Sequence, residues 1–255
     1  MEDRGYPRWV KPGLRPFNPV ALASWTGDIV CKDSMRKYTD FYCTGVYGGI
    51  STGYTVGCCL RCAFCWVDSS RDFPEKLGRF YSPEDAFIQL LKNAKKKRVN
   101  KMRISGGEPT LCHDHLIGLL DLVEETDFLF VLETNGILFG ADEGYVEKLT
   151  KYRNIHVRVS LKAGTPEGFE RRTGAKGDFY QLPYHAIRYL IKKEISFHVA
   201  AMSDPRLMSV NERLAMLERL REIGYKDILE EETCDPYPQT VSRLKEAGLL
   251  TFSEG

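Results

Sequence analysis

Gly57-Cys58-Cys59-Leu60-Arg61-Cys62-Ala63-Phe64-Cys65-Trp66 brings together four of the eight cysteines of this 255-residue chain. Within it, Cys58, Cys62 and Cys65 follow the spacing C-x3-C-x2-C, which supplies three thiolates and no fourth. An iron–sulfur cube held by three cysteines keeps one iron open to a substrate or cofactor, whereas four cysteines would close the site. A zinc site and a group of reduced core thiols are the alternatives, and three close cysteines alone leave both open.

A second motif, Ser105-Gly106-Gly107-Glu108-Pro109-Thr110, follows the apolar stretch 99–104 and precedes a predicted helix. Two glycines let the backbone approach a ligand closely, Glu108 can accept from an ammonium group, and Pro109 restricts the turn. A Gly-Gly-Glu-Pro tetrapeptide by itself is most often an ordinary turn after a strand. Its place one helix and one strand downstream of the cysteines favours a shared site.

Together the two motifs resemble the radical S-adenosylmethionine (SAM) superfamily, in which an aromatic residue, here Phe64, precedes the last cysteine. The resemblance implies one [4Fe–4S] cluster on Cys58, Cys62 and Cys65, whose free iron binds the amino nitrogen and carboxylate of SAM. In that family an electron from the reduced cluster breaks a carbon–sulfur bond of SAM, and the 5′-deoxyadenosyl radical takes a hydrogen atom from the substrate. The SAM-binding positions that the resemblance implies here are Phe64, Gly106, Gly107, Glu108 and Pro109.

Two more segments resemble glycyl-radical-enzyme activating enzymes, such as the pyruvate formate-lyase activator. Ser160-Leu161-Lys162-Ala163-Gly164-Thr165-Pro166-Glu167, followed by Arg172-Thr173-Gly174, looks like the fourth strand of that group and its sequel. The resemblance implies that Glu133, which heads Thr134-Asn135-Gly136, contacts the ribose of SAM. It also implies that Lys162 lies near the carboxylate of SAM. Ser160 stands where that group usually has aspartate, which weakens this assignment. Glu133, Ser160 and Lys162 complete the expected cofactor-binding set, with a solvated loop acid as the alternative for Glu133.

Strand-like and helical patterns alternate from residue 49 onward, which predicts a parallel sheet with right-handed crossover helices. The predicted strands span 49–56, 99–105, 128–134, 155–162, 196–202 and 227–229. The predicted helices begin near Ser82, Asp114, Asp142, Gln181 and Ser209. A capping box at Ser209 to Glu212 and a stop at Gly224 bound the last helix, and Asn135-Gly136 predicts a turn. The resemblance specifies this α/β series as a partial (β/α)6 TIM-like barrel, with its ligand site at the carboxyl ends of the strands.

The predicted organisation is an N-terminal extension (1–48), a radical SAM core (49–235) and a short C-terminal helical segment (236–255). The extension interleaves four prolines with aromatic residues. This composition is too proline-rich for long helices and too aromatic for a free tail. We expect the extension to pack on the barrel and cover one edge, with a contribution to substrate binding as the alternative.

The other cysteines are predicted to be reduced, because a cluster needs free thiolates and a reducing compartment. A Cys59-x2-Cys62-x2-Cys65 triad is an alternative, but C-x3-C-x2-C matches the family, so Cys59 is interpreted as a packing thiol. The remaining four are too scattered to hold a second cluster. They are Cys31, Cys43, Cys112 and Cys234.

Composition indicates that a nucleic acid or membrane partner would have to be bound locally. A formal net charge of +1 and a pI near 7.5 supply no bulk field to attract nucleic acid or an anionic membrane. No apolar run approaches the roughly 20 residues that span a bilayer, and the first five residues lack the apolar core of a secretory signal. We therefore expect a cytoplasmic protein without a membrane partner.

The predicted function is that of a radical SAM enzyme, an oxidoreductase reduced by a partner such as ferredoxin or flavodoxin. An activase acting on a protein glycine is one candidate, and a modifying enzyme for RNA, a peptide or a cofactor precursor is the other. A non-catalytic zinc or iron–sulfur module would leave Gly-Gly-Glu-Pro and the six-unit barrel unexplained. The sequence identifies neither the substrate nor a catalytic side chain.

Overall fold

The computed structural model describes residues 5–249. This part of the chain contains nine strands and ten α-helices. The strands are β1 (Cys31–Lys32), β2 (Met35–Thr44), β3 (Ile50–Thr55), β4 (Arg79–Tyr81), β5 (Lys101–Gly106), β6 (Leu129–Thr134), β7 (Ile155–Leu161), β8 (Phe197–Met202) and β9 (Glu230–Glu232). The helices are α1 (Pro19–Val30), α2 (Ser69–Asp72), α3 (Pro83–Lys97), α4 (His113–Glu124), α5 (Ile137–Ala141), α6 (Glu143–Glu147), α7 (Pro166–Thr173), α8 (Leu182–Lys192), α9 (Val210–Glu222) and α10 (Pro238–Glu246). The ends of the predicted segments 1–48 and 236–255 lie outside the described residues.

Six parallel strands form the centre of the sheet. β3, β5, β6, β7, β8 and β9 lie side by side in chain order, and each neighbouring pair is parallel. Helices connect these strands, and the sheet does not close on itself. The predicted α/β fold, a partial (β/α)6 barrel, is confirmed. Since the strands run in the same direction, their carboxyl ends share one edge of the sheet.

The N-terminal residues extend this sheet beyond β3. β2 pairs antiparallel with β3, and also with β1 and β4, so it covers one edge of the parallel sheet. The expectation that proline excludes a long helix is wrong, because α1 runs for 12 residues. Pro19 lies in the first turn, where a missing N–H costs little, and Asn18 caps the N–H groups of Val20 and Ala21. The domain boundaries themselves stay predictions.

α9 begins and ends as predicted but lacks the predicted capping box. The Ser209 hydroxyl accepts from the Glu212 N–H at 3.2 Å, and Gly224 follows the helix with φ +86°. The Glu212 carboxylate instead pairs with Arg172 and accepts from the Gly164 N–H at 2.8 Å. A tertiary ion pair thus takes the place of the reciprocal bond to Ser209.

Several elements differ from the predicted series. The predicted helix at 142–152 is the short α6 followed by a 3₁₀ turn, Lys148–Lys151, and the sequence did not predict α5 or α7. The sixth parallel strand, β9, forms at Glu230–Glu232 rather than at 227–229. Three consecutive glutamates carry no β-pattern in the sequence. The strand is stabilised instead by its backbone pairing with β8 and by the ion pairs of Glu230 and Glu232 with Arg158.

A disulfide joins Cys31 and Cys112, with their Cα atoms 5.7 Å apart. The prediction of reduced thiols is therefore wrong for these two cysteines, which are 81 residues apart in sequence. They meet because β1 begins beside the 3₁₀ turn that follows Glu108, where the Cys31 sulfur lies 3.6 Å from the Leu111 carbonyl oxygen. The other six cysteines of residues 5–249 are free thiols, as predicted for Cys43, Cys59 and Cys234.

The main apolar core lies between the parallel sheet and its helices. Leu90, Leu116, Phe130 and Val157 are fully buried there. A search of the helices within residues 5–249 finds none both long enough and apolar enough to cross a bilayer.

Candidate metal and cofactor site

The carboxyl ends of four neighbouring strands bring the predicted motifs to one edge of the sheet. The cysteine loop, residues 57–66, follows β3, and the Gly-Gly-Glu-Pro motif follows β5. β6 and β7 end at the Thr-Asn-Gly and Ser-Leu-Lys segments. Because β3, β5, β6 and β7 are consecutive in the sheet, segments far apart in sequence lie next to one another.

The cysteine loop and the Gly-Gly-Glu-Pro motif touch directly through their backbones. The Gly107 N–H donates to the Thr55 carbonyl at 2.8 Å, and the Glu108 N–H donates to the Gly57 carbonyl at 2.9 Å. A Cβ atom at Gly107 would lie 2.1 Å from the Gly57 oxygen, and Gly106 has φ +84°. Glycine is thus required at both positions for the motif to pack against the cysteine loop.

The Glu108 carboxylate ties the end of β5 to the end of β6. It accepts from the hydroxyls of Thr110 and Thr134, both at 2.7 Å. It also accepts from the backbone N–H groups of Thr110 at 3.2 Å and Asn135 at 2.9 Å. Glu108 is 3% exposed, so these donors replace water around a buried charge. Its contact with the ammonium of SAM stays a prediction.

Asn135 contacts the cysteine loop. The sequence analysis interpreted Asn135-Gly136 only as a turn and missed this role. Its amide nitrogen lies 3.3 Å from the Cys59 sulfur and 3.7 Å from the Cys58 sulfur. Its side-chain oxygen accepts from the Ile137 N–H at 3.0 Å, which holds the amide in place. The Asn-Gly dipeptide gave no local signal for this contact, because such dipeptides mark turns generally.

The pKa values of two adjacent cysteines, Cys58 and Cys59, are shifted in opposite directions. A hydrogen bond from Cys59 lowers the pKa of Cys58 to about 7. The same bond, together with burial, raises the pKa of Cys59 well above its ordinary value. Of the two, Cys58 is the one whose surroundings favour the thiolate that a metal needs. Burial raises the pKa of Cys62 to about 12, and the positive charge of Lys162 opposes that rise.

The donor set fits an iron–sulfur cluster better than a single metal ion. Within the described residues, no three His, Cys, Asp or Glu side chains converge as ligands of one ion. A cubane needs no such convergence, since its cysteines bind different irons. The chemistry present is three free thiols in one loop, Cys58, Cys62 and Cys65, beside the cation Lys162. Ligation by these three stays a prediction.

Arginines that the sequence reading did not single out hold the backbone of the cysteine loop. Arg61, Arg71 and Arg243 each donate to a carbonyl of the loop. Arg243 lies on α10, 178 residues from the carbonyl of Cys65 that it contacts. No local pattern could have indicated a contact over that separation.

Glu133 is hydrogen-bonded within the protein. It accepts from the Tyr47 hydroxyl at 2.7 Å, from Arg103 at 2.6 Å and from the Ser105 hydroxyl at 3.0 Å. Burial would raise the pKa of Glu133, but Arg103 and Tyr47 outweigh it and hold that pKa below its ordinary value. Glu133 is thus an ionised member of a polar network rather than a solvated loop acid.

The end of β7 places Ser160 and Lys162 differently. The Ser160 hydroxyl accepts from Arg158 at 2.9 Å, and that arginine also pairs with Glu230 and Glu232 of β9. An aspartate at position 160 would compete with those glutamates for Arg158. Lys162 is partly exposed at the strand end beside the cysteine loop, and Phe64 is buried at 6% exposure.

The face of the parallel sheet turned away from the helices carries a chain of paired polar groups. His198 lies between His156 and Glu230, with nitrogen–nitrogen and nitrogen–oxygen distances of 2.7 and 2.8 Å. Arg103 pairs with Glu133 on the neighbouring strand. The inner face of the partial barrel is therefore polar, with its charges largely compensated.

Residues 53–235 match the family model described as the radical SAM superfamily. A probable GTP 3′,8-cyclase from Methanocaldococcus jannaschii is 34% identical over 119 residues, which cover 46% of this chain and 37% of the cyclase. A putative glycyl-radical enzyme activating enzyme from the same organism is 32% identical over 109 residues, or 43% of this chain and 38% of that protein.

SuiB of Streptococcus suis is similar in structure. Its SAM-bound form superposes with a TM-score of 0.58 and 21% identity, covering 72% of this chain and 40% of SuiB. The form bound to the precursor peptide SuiA gives 0.57 and 22%, covering 71% of this chain and 38% of SuiB. At this identity the likeness shows the fold. The chain spans about two fifths of the length of these relatives.

Proposed function

This chain belongs to the radical SAM superfamily, and we propose that it acts as a radical SAM enzyme on a polypeptide substrate. When bound and reduced by one electron, a [4Fe–4S] cluster with SAM supplies a 5′-deoxyadenosyl radical, which abstracts a hydrogen atom from the substrate. An activase that takes hydrogen from a protein glycine is the form of this activity that we favour.

The backbone contact between the Gly-Gly-Glu-Pro motif and the cysteine loop carries the proposal. The Glu108 N–H donates to the Gly57 carbonyl at 2.9 Å, directly before the first of the three cysteines. A ligand held at Gly106 and Gly107 therefore lies beside the residues that would hold the cluster. Neither a zinc module nor a set of core thiols requires this juxtaposition.

Each motif position then has a physical role in holding the cofactor. Cys58, Cys62 and Cys65 would hold three irons of the cluster, and the Gly106-Gly107 backbone would receive the amino group of SAM. Lys162 supplies a positive charge for the SAM carboxylate. Glu108 and Asn135 hold the strand ends and the cysteine loop together. Glu133 is better explained as part of the inner face, because three protein donors already use its carboxylate.

The compensated inner face supports a polypeptide rather than a phosphate-rich substrate. Arg103 pairs with Glu133, and Arg158 pairs with Glu230 and Glu232. Phosphate recognition in RNA depends on available cationic groups, and these two arginines are engaged with carboxylates. An inner face whose charges are already paired offers a polypeptide segment polar hydrogen-bonding partners. The similarity to an activating enzyme and to a protein solved with a precursor peptide supports the same choice.

A cofactor precursor is the second candidate. The similarity to a probable GTP 3′,8-cyclase favours it. A nucleoside triphosphate would need to displace Glu133 from Arg103, or Glu230 from Arg158, to be neutralised on the inner face. A one-electron donor such as ferredoxin or flavodoxin, and a cytoplasmic location, complete the proposal.

Anaerobic reconstitution tests this function. With SAM and dithionite, the protein should release 5′-deoxyadenosine slowly, and the polypeptide encoded beside its gene should accelerate release and acquire an organic radical visible by EPR. Acceleration by GTP with no response to the polypeptide would favour the cofactor precursor. A colourless protein carrying zinc, or S-adenosylhomocysteine as the sole product, would overturn the radical reaction itself.

A further inference from the structure

Three buried arginines each donate to the backbone carbonyl of a different cysteine of the predicted cluster triad. The pairs are Arg61 with Cys58 at 2.7 Å, Arg71 with Cys62 at 2.6 Å, and Arg243 with Cys65 at 2.8 Å. The arginines come from three places in the chain, namely the loop itself, α2 and α10. Each cysteine of the triad therefore has its own backbone carbonyl hydrogen-bonded to a different guanidinium group.

These side chains are removed from water. Arg61 is 0% exposed, Arg71 is 1% exposed and Arg243 is 5% exposed. A buried guanidinium is costly unless an anion compensates it.

Asp72 is the carboxylate that two of the three share. Arg71 lies 2.6 Å from one of its oxygens, and Arg243 lies 2.5 Å from the other. Within residues 5–249, Arg61 has no carboxylate partner among its ion pairs, and its Nη2 atom makes no hydrogen bond. Its guanidinium donates to the carbonyls of Pro7, Cys58 and Leu60, and its central carbon lies 4.9 Å from the centre of the Tyr6 ring. One carboxylate for three guanidiniums leaves an excess of positive charge around the cysteine loop, which the Glu108 carboxylate near Cys58 offsets in part.

We propose that Arg61, Arg71 and Arg243 form a cationic shell that stabilises the more negative, reduced state of the cluster and so sets its reduction potential. This inference rests on the proposed function only in requiring the cluster. Addition of one electron makes the cluster and its thiolates more negative by one charge. Nearby fixed positive charge in a site shielded from water lowers the free energy of that state. Net charge and hydrogen bonds around the cluster are among the features through which proteins tune iron–sulfur potentials.

The test compares charge with hydrogen bonding at the same positions. Arg61→Gln and Arg71→Gln keep a donor but remove the charge, whereas Arg61→Lys and Arg71→Lys keep the charge. The midpoint potential of each reconstituted protein is measured by EPR-monitored titration without SAM. Each Gln variant should reduce the ratio of reduced to oxidised cluster about tenfold at a fixed potential, which equals a shift of about 59 mV to more negative values. The Lys variants should stay near the parent.

Arg153→Gln is the matched control, because that side chain is 85% exposed and pairs with Glu124 away from the loop. Its potential should equal that of the parent. Unchanged potentials in both Gln variants, or equal shifts in the Lys and Gln variants, would overturn the proposal and leave the arginines as mechanical supports. If the Gln variants lose the cluster while the Lys variants retain it, the iron content shows that charge is required.

Loss of the cluster in both series would also contradict the proposal. A parent protein that binds no cluster would instead refute the proposed function. The two failures are therefore distinguishable.

Discussion

The side-chain amide nitrogen of Asn135 lies 3.3 Å from the sulfur of Cys59, although 76 residues separate them in sequence. Asn135 follows β6 and Cys59 follows β3, so the contact crosses the intervening end of β5. It places an amide donor against the adjacent pair Cys58 and Cys59. The two sulfurs thus share a polar neighbour, so geometry near Asn135 does not by itself decide which of them is a cluster ligand.

Alanine substitution should separate the ligands from the packing thiol. Cys58→Ala, Cys62→Ala and Cys65→Ala should each abolish a cluster of about four irons and four sulfides, as one cubane requires. Cys59→Ala should retain it, because Cys59 lies outside the C-x3-C-x2-C spacing and its sulfur is buried against the Asn135 amide. Iron and sulfide analysis after anaerobic reconstitution measures this. A protein that needs Cys59 and tolerates Cys58→Ala would show that the triad is shifted by one residue.

Glu108→Gln should weaken both the fold and SAM binding. The carboxylate receives four hydrogen bonds, so an amide that presents N–H groups would oppose at least one donor and cost about 1–3 kcal/mol. Urea unfolding and calorimetry with SAM measure the two effects. Glu143→Gln, at a surface pair with Lys192, is the control and should change neither. Undiminished stability in Glu108→Gln would contradict the framework role.

Gly107→Ala should prevent the motif from packing against the cysteine loop. Its Cβ would lie 2.1 Å from the Gly57 carbonyl oxygen, and only a shift of the backbone could relieve this overlap. The variant should lose uncoupled release of 5′-deoxyadenosine, as measured by chromatography. Gly45→Ala is a matched control, because no heavy atom lies within 4 Å of its Cβ position and its φ is −79°. Normal release from Gly107→Ala would show that the motif does not hold the cofactor.

Removal of the disulfide should destabilise the protein without changing the cluster ligands. Cys112→Ser should lower the free energy of unfolding by about 2–4 kcal/mol, the range typical of native disulfides. In the parent protein, alkylation under non-reducing conditions followed by mass spectrometry should find Cys31 and Cys112 unmodified. Cys43→Ser, at a free cysteine, is the comparison and should have the smaller effect. Alkylation of all eight cysteines would show that this bond does not form in solution.

His115 should make stability depend on pH. Burial lowers its pKa from 6.5 to about 4, and the neutral ring accepts from the Tyr38 hydroxyl at 2.7 Å and donates to the Ser34 carbonyl at 2.9 Å. Because the folded-state pKa is depressed, this contribution is complete above pH 6.5 and is lost as the pH falls toward 4. The expected slope is about 1.4 kcal/mol per pH unit in that window. Urea unfolding gives the free energy of unfolding of the parent and of His115→Gln at each pH. The two plots of this free energy against pH should converge on acidification, whereas parallel plots would contradict this role.

The sequence by itself determined the features that depend on neighbouring residues. The three-cysteine spacing, the Gly-Gly-Glu-Pro motif and the cap at Ser209 are local patterns, and the alternation of strands and helices predicts a parallel sheet. A parallel sheet places successive strand ends on one edge. The approximate location of the site could therefore be predicted without coordinates.

Only the tertiary structure decided which side chains meet across that edge. The bond between Cys31 and Cys112, the donors around Glu108 and the contact of Arg243 with Cys65 join distant segments. β9 also forms through its partners, since its glutamates have little strand propensity. Hydrogen bonds and ion pairs of this kind depend on how neighbouring strands and helices pack, and a linear pattern does not contain that information.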